Sequence, residues 1–127
     1  MSKEARRVER TAVPWLSPSS VEVRSMYAVV RVNTWDRAIQ ADAAADVADF
    51  DDIHGQQPGF LGSLVVELGE GRNAILNLWE SEEHATAALP VVGPAVARLL
   101  EPLFAEPSQL VGTGDVIQGA DLIKVAR

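Results

Sequence analysis

The chain has 127 residues, 47% of them apolar, no cysteine and a formal charge of −7. That length fits one domain with a core of its own, the composition excludes wholesale disorder, and the missing cysteines exclude a disulfide framework, a thiolate nucleophile and any zinc or iron–sulfur site built on sulfur. Residues 1–25 carry five basic and three acidic side chains while the rest carries six and fifteen, so the body repels phosphate backbones and anionic lipid, and neither nucleic acid nor membrane is expected as a partner.

Residues 1–25 are charged and then rich in Pro and Ser. They read as an accessory arm, with Trp15 as the anchor that docks it on the body or on another subunit. Residues 26–127 read as one domain. No segment approaches the roughly 20 apolar residues of a membrane helix, and the N-terminus has charge but no apolar signal core, so a cytoplasmic protein is expected.

Tyr27 to Trp35 (YAVVRVNTW) is rich in β-branched and aromatic residues and predicts a strand. Neither alternating face is polar, so both are expected to be covered. Asp36 to His54 predicts one helix, capped by Asp36, with an apolar stripe through Ile39, Ala43, Val47, Phe50 and Ile53. His54 falls at its C-terminus, where an imidazolium is favoured by the helix dipole. Asp42, Asp46, Asp49 and Asp52 make a solvated face. Gly55 stops the helix.

Phe60 to Leu68 and Arg72 to Glu80 predict two strands joined by the Gly69-Glu-Gly71 loop. Ser81 caps a second helix, Pro90 interrupts it, and Gly93-Pro94 restarts it. Val96, Leu99, Leu100, Leu103 and Phe104 continue the apolar stripe, with Pro102 distorting the last turn. Beyond Pro107 the candidates are Gln109–Thr113, Val116–Ile117 and Leu122–Val125, broken up by Gly112, Gly114 and Gly119, and one last core strand with an edge strand or arm is expected.

Strand, helix, hairpin, helix, strand is β-α-β-β-α-β, the ferredoxin-like α+β split unit with an antiparallel sheet. The strand YAVVRVN, the helix ending in Phe50–Ile53, the Pro58-Gly-Phe-Leu-Gly62 turn, and Leu78-Trp-Glu-Ser81 followed by Glu83-His-Ala85 resemble the antibiotic biosynthesis monooxygenase-like family. The resemblance covers Met26 to Ile117. It implies a dimeric α+β barrel, hence a homodimer. It also implies a chemically mixed range of activities, including cofactor-free oxygenation of quinol or polyketide-type aromatics. The haem-degrading members pair a strand Asn with a Trp and a His on the second helix. Asn33 fits the first, but Ala88 and Arg98 stand where the others would fall, so haem degradation is disfavoured.

The residues themselves divide between structural and functional roles. Trp79 is a core aromatic or a wall that stacks a planar ligand. Asn33 and Asn77 lie on covered strands, where an amide must find partners, either in neighbouring backbone or in an anionic intermediate. His84, in the first turn of the second helix, is a surface histidine or a proton acceptor. Arg31 pairs with an acid across the sheet or binds an acidic ligand. Tyr27 is structural or a hydrogen-bond donor to a ligand oxygen, and Trp35 shares its face with Asn33. Two histidines without ligand-spaced partners offer no metal site, and no nucleotide or flavin motif is present, so no cofactor is expected.

The leading expectation is a cofactor-independent monooxygenase on an electron-rich aromatic, with His84, Asn33 and Asn77 catalytic and Trp79, Trp35, Tyr27 and Arg31 binding substrate. The alternatives are a non-catalytic small-molecule binding or sensing module and a purely structural dimerisation domain. Alternation leaves open which sheet face looks inward.

Overall fold

The computed structural model describes residues 26–40 and 42–122. The arm at 1–25, with Trp15, and most of the 122–125 segment lie outside the described residues.

The first strand, β1 (Tyr27–Trp35), is followed by a four-residue helix α1 (Arg37–Gln40) and then by α2 (Ala44–Gly55). The hairpin β2 (Phe60–Gly69) and β3 (Arg72–Trp79) comes next, then α3 (Glu82–Ala95). A π-helical turn at Val96–Leu100 and a 3-10 turn at Glu101–Leu103 lead into β4 (Phe104–Asp115). The sheet order is β2-β3-β1-β4, antiparallel at every pairing. This is the ferredoxin-like α+β arrangement that the sequence predicts.

Three local expectations are corrected. The first helix is two helices. Asp36 does cap the start, accepting from Ala38 N–H at 2.9 Å, but Ala43 sits buried in the core as the N-cap of α2. Sinking Ala43 between Phe50 and Leu103 breaks the continuous ladder that a single helix would need.

The second helix runs straight through Pro90 and Pro94. The two prolines are spaced i, i+4 on its exposed side. The carbonyls they leave without a helical donor therefore meet water instead.

The last strand is longer than its pieces suggest: β4 has 12 residues against the 9 of β1. The surplus is absorbed by register shifts at Val30/Arg31, Val32/Thr34 and Thr34/Trp35. An edge strand tolerates Pro107 because its outward N–H side needs no donor, and bulges accommodate the extra residues.

Both helices pack on one face of the sheet. Phe50, Ala95, Leu100 and Leu103 form the core at one end, joined by Trp35 and Val96, and Tyr27, Trp79, Ala85 and Ala88 form it at the other. On the outer face a small cluster of Met26, Leu61 and Leu78 is capped by Val116 and Ala120. The rest of that face, including Val30, Leu64, Val66 and Leu76, has no helix over it among the described residues. Leu64 and Val66 are about half exposed.

Candidate functional site

The odd-numbered residues of β1 and β3 face the helices, which answers the question that alternation leaves open. Between sheet and helices lies a cavity of about 550 Å³, within the ~300–1,000 Å³ range of small-molecule sites. Its sheet wall is Arg31, Asn33 and Trp35 from β1 and Asn73, Asn77 and Trp79 from β3. Val47, Phe50 and His54 of α2 face them, with Ala88, Val92 and Leu100 of the roof. The cavity is elongated. Asn33 pairs with Asn73, six residues from Trp79, which is about 20 Å of strand at ~3.4 Å per residue.

At the Asn33 end, Trp35 packs edge-on against Phe104, centroids 5.0 Å apart. With the Asn73 amide oriented by its hydrogen bonds, its oxygen accepts from Trp35 Nε1 at 3.1 Å and its nitrogen donates to Glu67 Oε1 at 3.0 Å. Trp35 is thereby held in place.

Asn33 itself is 7% exposed, and its Oδ1 has no hydrogen-bond partner among the described residues. The bulge beside it removes any register partner on β4. A buried amide oxygen left unpaired costs about 1–3 kcal/mol, so this acceptor calls for a donor from within the cavity.

Further along, Arg31 Nη1 donates to Ser108 Oγ at 3.3 Å. Ser63 Oγ donates to Asn77 Oδ1 at 2.6 Å, which leaves the Asn77 amide nitrogen as the donor for a ligand. At the far end Trp79 meets Phe60 edge-on at 5.0 Å.

His54 completes that end. It is 6% exposed and stacks on Phe60, centroids 4.0 Å apart, with Trp79 at 5.6 Å. Burial pushes its pKa down from 6.5 to about 4, because the low-dielectric surroundings penalise the imidazolium. It is a neutral ring in a cavity wall, not a charged cap on a helix end. The helical spacing carried the signal: His54 lies i+4 from Phe50 and i+7 from Val47.

His84 and Tyr27 do not line the cavity. His84 Nδ1 lies 2.7 Å from Ser81 Oγ, and that hydroxyl also accepts from His84 N–H at 3.1 Å. The ring is packed on Gly59, whose φ of +82° and lack of a side chain make room for it; a Cβ there would overlap the imidazole. Its cap interaction with Ser81 turns it away from the sheet. Tyr27 is buried beneath the site, beside Trp79 and Ala85. Among the described residues no three His, Asp or Glu side chains gather into a metal-binding group, and no helix is long and apolar enough to cross a membrane.

The depressed His54 pKa makes stability depend on pH. The unfolded chain takes up a proton near 6.5 and the folded one near 4. Stability is therefore whole above pH 6.5 and falls as pH drops from 6.5 towards 4. At about 1.36 kcal/mol per unit the loss is at most about 3 kcal/mol. Urea unfolding at pH 7.5 and 4.5 is expected to show it, and His54→Phe to flatten it. An equal loss in the variant would assign the effect to other groups.

No protein-family model and no curated protein matches the chain. Solved structures do. A protein of unknown function from Nitrosomonas europaea aligns with a TM-score of 0.61 at 12% identity, covering 76% of this chain and 93% of that one. A putative antibiotic biosynthesis monooxygenase from Caulobacter crescentus aligns with a TM-score of 0.57 at 18% identity, over 76% and 92%. SnoaB, a cofactor-independent oxygenase from Streptomyces nogalater, aligns with a TM-score of 0.58 at 18% identity, over 76% and 97%. The chain has the fold of these proteins, a four-stranded antiparallel sheet with helices on one face. At such identities the likeness speaks for the fold and not for the reaction.

Proposed function

We propose that the chain is a cofactor-independent monooxygenase acting on an electron-rich aromatic of quinol or polyketide type, and that it works as a homodimer. The observation that carries the reading is an aromatic-walled cavity holding a buried acceptor, Asn33 Oδ1, with no partner among the described residues. Such a site is incomplete until a ligand hydroxyl enters it. The likeness to SnoaB adds the precedent of an oxygenase on this fold that uses no cofactor.

In this reading the substrate anion itself supplies electrons to dioxygen. The protein then has to exclude water, hold the ring and favour the anion. Trp79 and Trp35 bracket the long axis of the cavity, Asn33 takes a ligand donor at one end, and the Asn77 amide with Arg31 stabilises negative charge on the ligand. The helices cover the cavity from one side, and contacts shielded there from bulk water are strengthened.

The test is oxygen consumption with naphthoquinol-type compounds, measured above their spontaneous oxidation. Asn77→Ala is expected to lower turnover by about 10²–10³-fold. Asn33→Leu, close in volume, is expected to raise the unfolding free energy by about 1–3 kcal/mol, since an unpaired buried acceptor is gone, while weakening ligand binding. Opposite signs on stability and binding mark a residue kept for its ligand. Tight binding with no oxygen consumption in the wild type would leave the non-catalytic binding module instead.

A further inference from the structure

We propose that His54 is the proton acceptor of this site, taking the phenolic proton of an aromatic ligand at the Trp79 end of the cavity. The inference rests on the reading of the cavity as an aromatic-ligand site, but not on oxygenation itself.

The geometry places His54 where a base is needed. Its ring lies against Phe60 and Trp79 in the cavity wall. Among the described residues no hydrogen bond engages either ring nitrogen. The ring keeps a little open surface at 6% exposure and lines the cavity, the space from which a ligand can approach it. Asn77, two residues from Trp79 and on the same face of β3, adds an amide donor for the oxygen that loses the proton. Two groups with complementary duties thus share one end: one receives the proton, the other steadies the anion.

The charged side chains on the cavity come from three elements. Arg31 projects from β1, Asp51 from α2, and Glu101 from the 3-10 turn that follows the roof. The lining from β2, β3 and α3 is uncharged. Burial, and then the neighbouring Asp52, hold the Asp51 carboxyl above its usual range.

Burial alone moves the His54 pKa, and no charged neighbour among the described residues offsets it in favour of the imidazolium. The resting ring is neutral at pH 7 and free to accept. In the transfer the ligand O–H bond breaks, its electron pair stays on oxygen, and the proton forms an N–H bond on the imidazole. No electron leaves the ligand in this step. An isolated imidazolium is disfavoured there, but an imidazolium beside the phenolate it has just made is a neutral pair, and an opposite charge within ~4–6 Å favours the charged form. His54 is therefore a base only when its substrate is present.

The experiment uses 2-naphthol, whose neutral and ionised forms absorb differently and which need not react with oxygen. Phenolic hydroxyls titrate near ~10 in water. With the wild-type protein at pH 7.5, the bound probe is expected to show the naphtholate spectrum. His54→Phe, which keeps the ring stack, and His54→Gln, which keeps a polar side chain, are both expected to bind it as neutral naphthol. With a turned-over quinol, both are expected to lower kcat by about 10²–10⁴-fold, with KM little changed. The acid limb of wild-type kcat/KM is expected near pH 4, where the free ring titrates, rather than near 6.5. Naphtholate bound by both variants, a neutral probe on the wild type, or no bound probe at all would each overturn the assignment. If the wild type ionises bound naphthol yet consumes no oxygen with any quinol, the oxygenase reading fails and the role of His54 stands.

Discussion

Trp79→Ala is expected to cost about 3–5 kcal/mol of unfolding free energy, the range for removing a large buried aromatic. Trp79 is 3% exposed and is shared by two structures. It belongs to the cluster with Tyr27, Ala85 and Ala88 that fastens α3 to the sheet, and it forms the ring contacts with Phe60 and His54 that close one end of the cavity. Truncation to alanine empties both. Trp79→Phe keeps an aromatic in the wall, so it is expected to retain most of the fold while loosening ligand binding. Urea titration read by far-UV circular dichroism measures the first effect and ligand titration the second. A loss below about 1 kcal/mol for Trp79→Ala would mean that the cluster is far less well packed than a core site.

The second large effect concerns the outer face of the sheet. Val30, Leu64, Val66 and Leu76 form an apolar surface with no helix over it among the described residues, and Val66 is 50% exposed. A second copy laid sheet on sheet would cover it. A self-complementary interface of this kind buries on the order of 1,200–2,000 Å² or more in total. Light scattering is expected to return twice the 13.7 kDa of the chain. Val66→Asp places two like charges across the interface, one from each copy, and is expected to return 13.7 kDa with the far-UV spectrum intact. Leu76→Asp, at the centre of the face, is expected to do the same at greater cost to stability. A wild-type mass of 13.7 kDa at micromolar concentration would rule out the homodimer.

How far the sequence reaches differs from one element to the next. Strand identities come through because β-branched alternation is a strong local signal. The grouping of Asn33 with Trp35 and of Asn77 with Trp79 follows from the two-residue period alone, and the structure brings both pairs to one cavity. The inward face does not follow from alternation, because both faces of the sheet are apolar. Only the packing of the helices distinguishes them.

The two histidines lie where the sequence reading does not put them, His54 in the cavity wall and His84 outside it, for related reasons. His54 extends the apolar stripe of α2 as well as Ile53 does, yet a polar residue at a helix end is indistinguishable from a cap until the stack on Phe60 is seen. His84 has the location of a catalytic residue, next to a strand end, but Ser81 and Gly59 claim its ring. Pro90 misleads because its cost depends on which side of the helix faces water, and that is a tertiary property.

The central strand has a consequence for how the protein is made. β1 is the first of the four strands to be synthesised, and both its neighbours come later in the chain. Its pairing with β4 joins Tyr27 to Asp115. At translation rates of about 5–20 residues per second, the ribosome needs on the order of 4–18 seconds to span that interval. Throughout it, one edge of β1 offers unpaired N–H and C=O groups beside Val30 and Val32, a template for any other extended chain nearby. Docking of β4 removes that hazard and, through Phe104, Pro107 and Ser108, also closes the last wall of the cavity. The cavity is thus complete only once β4 has docked, and before then it cannot hold a ligand that would steady the chain during its most exposed seconds.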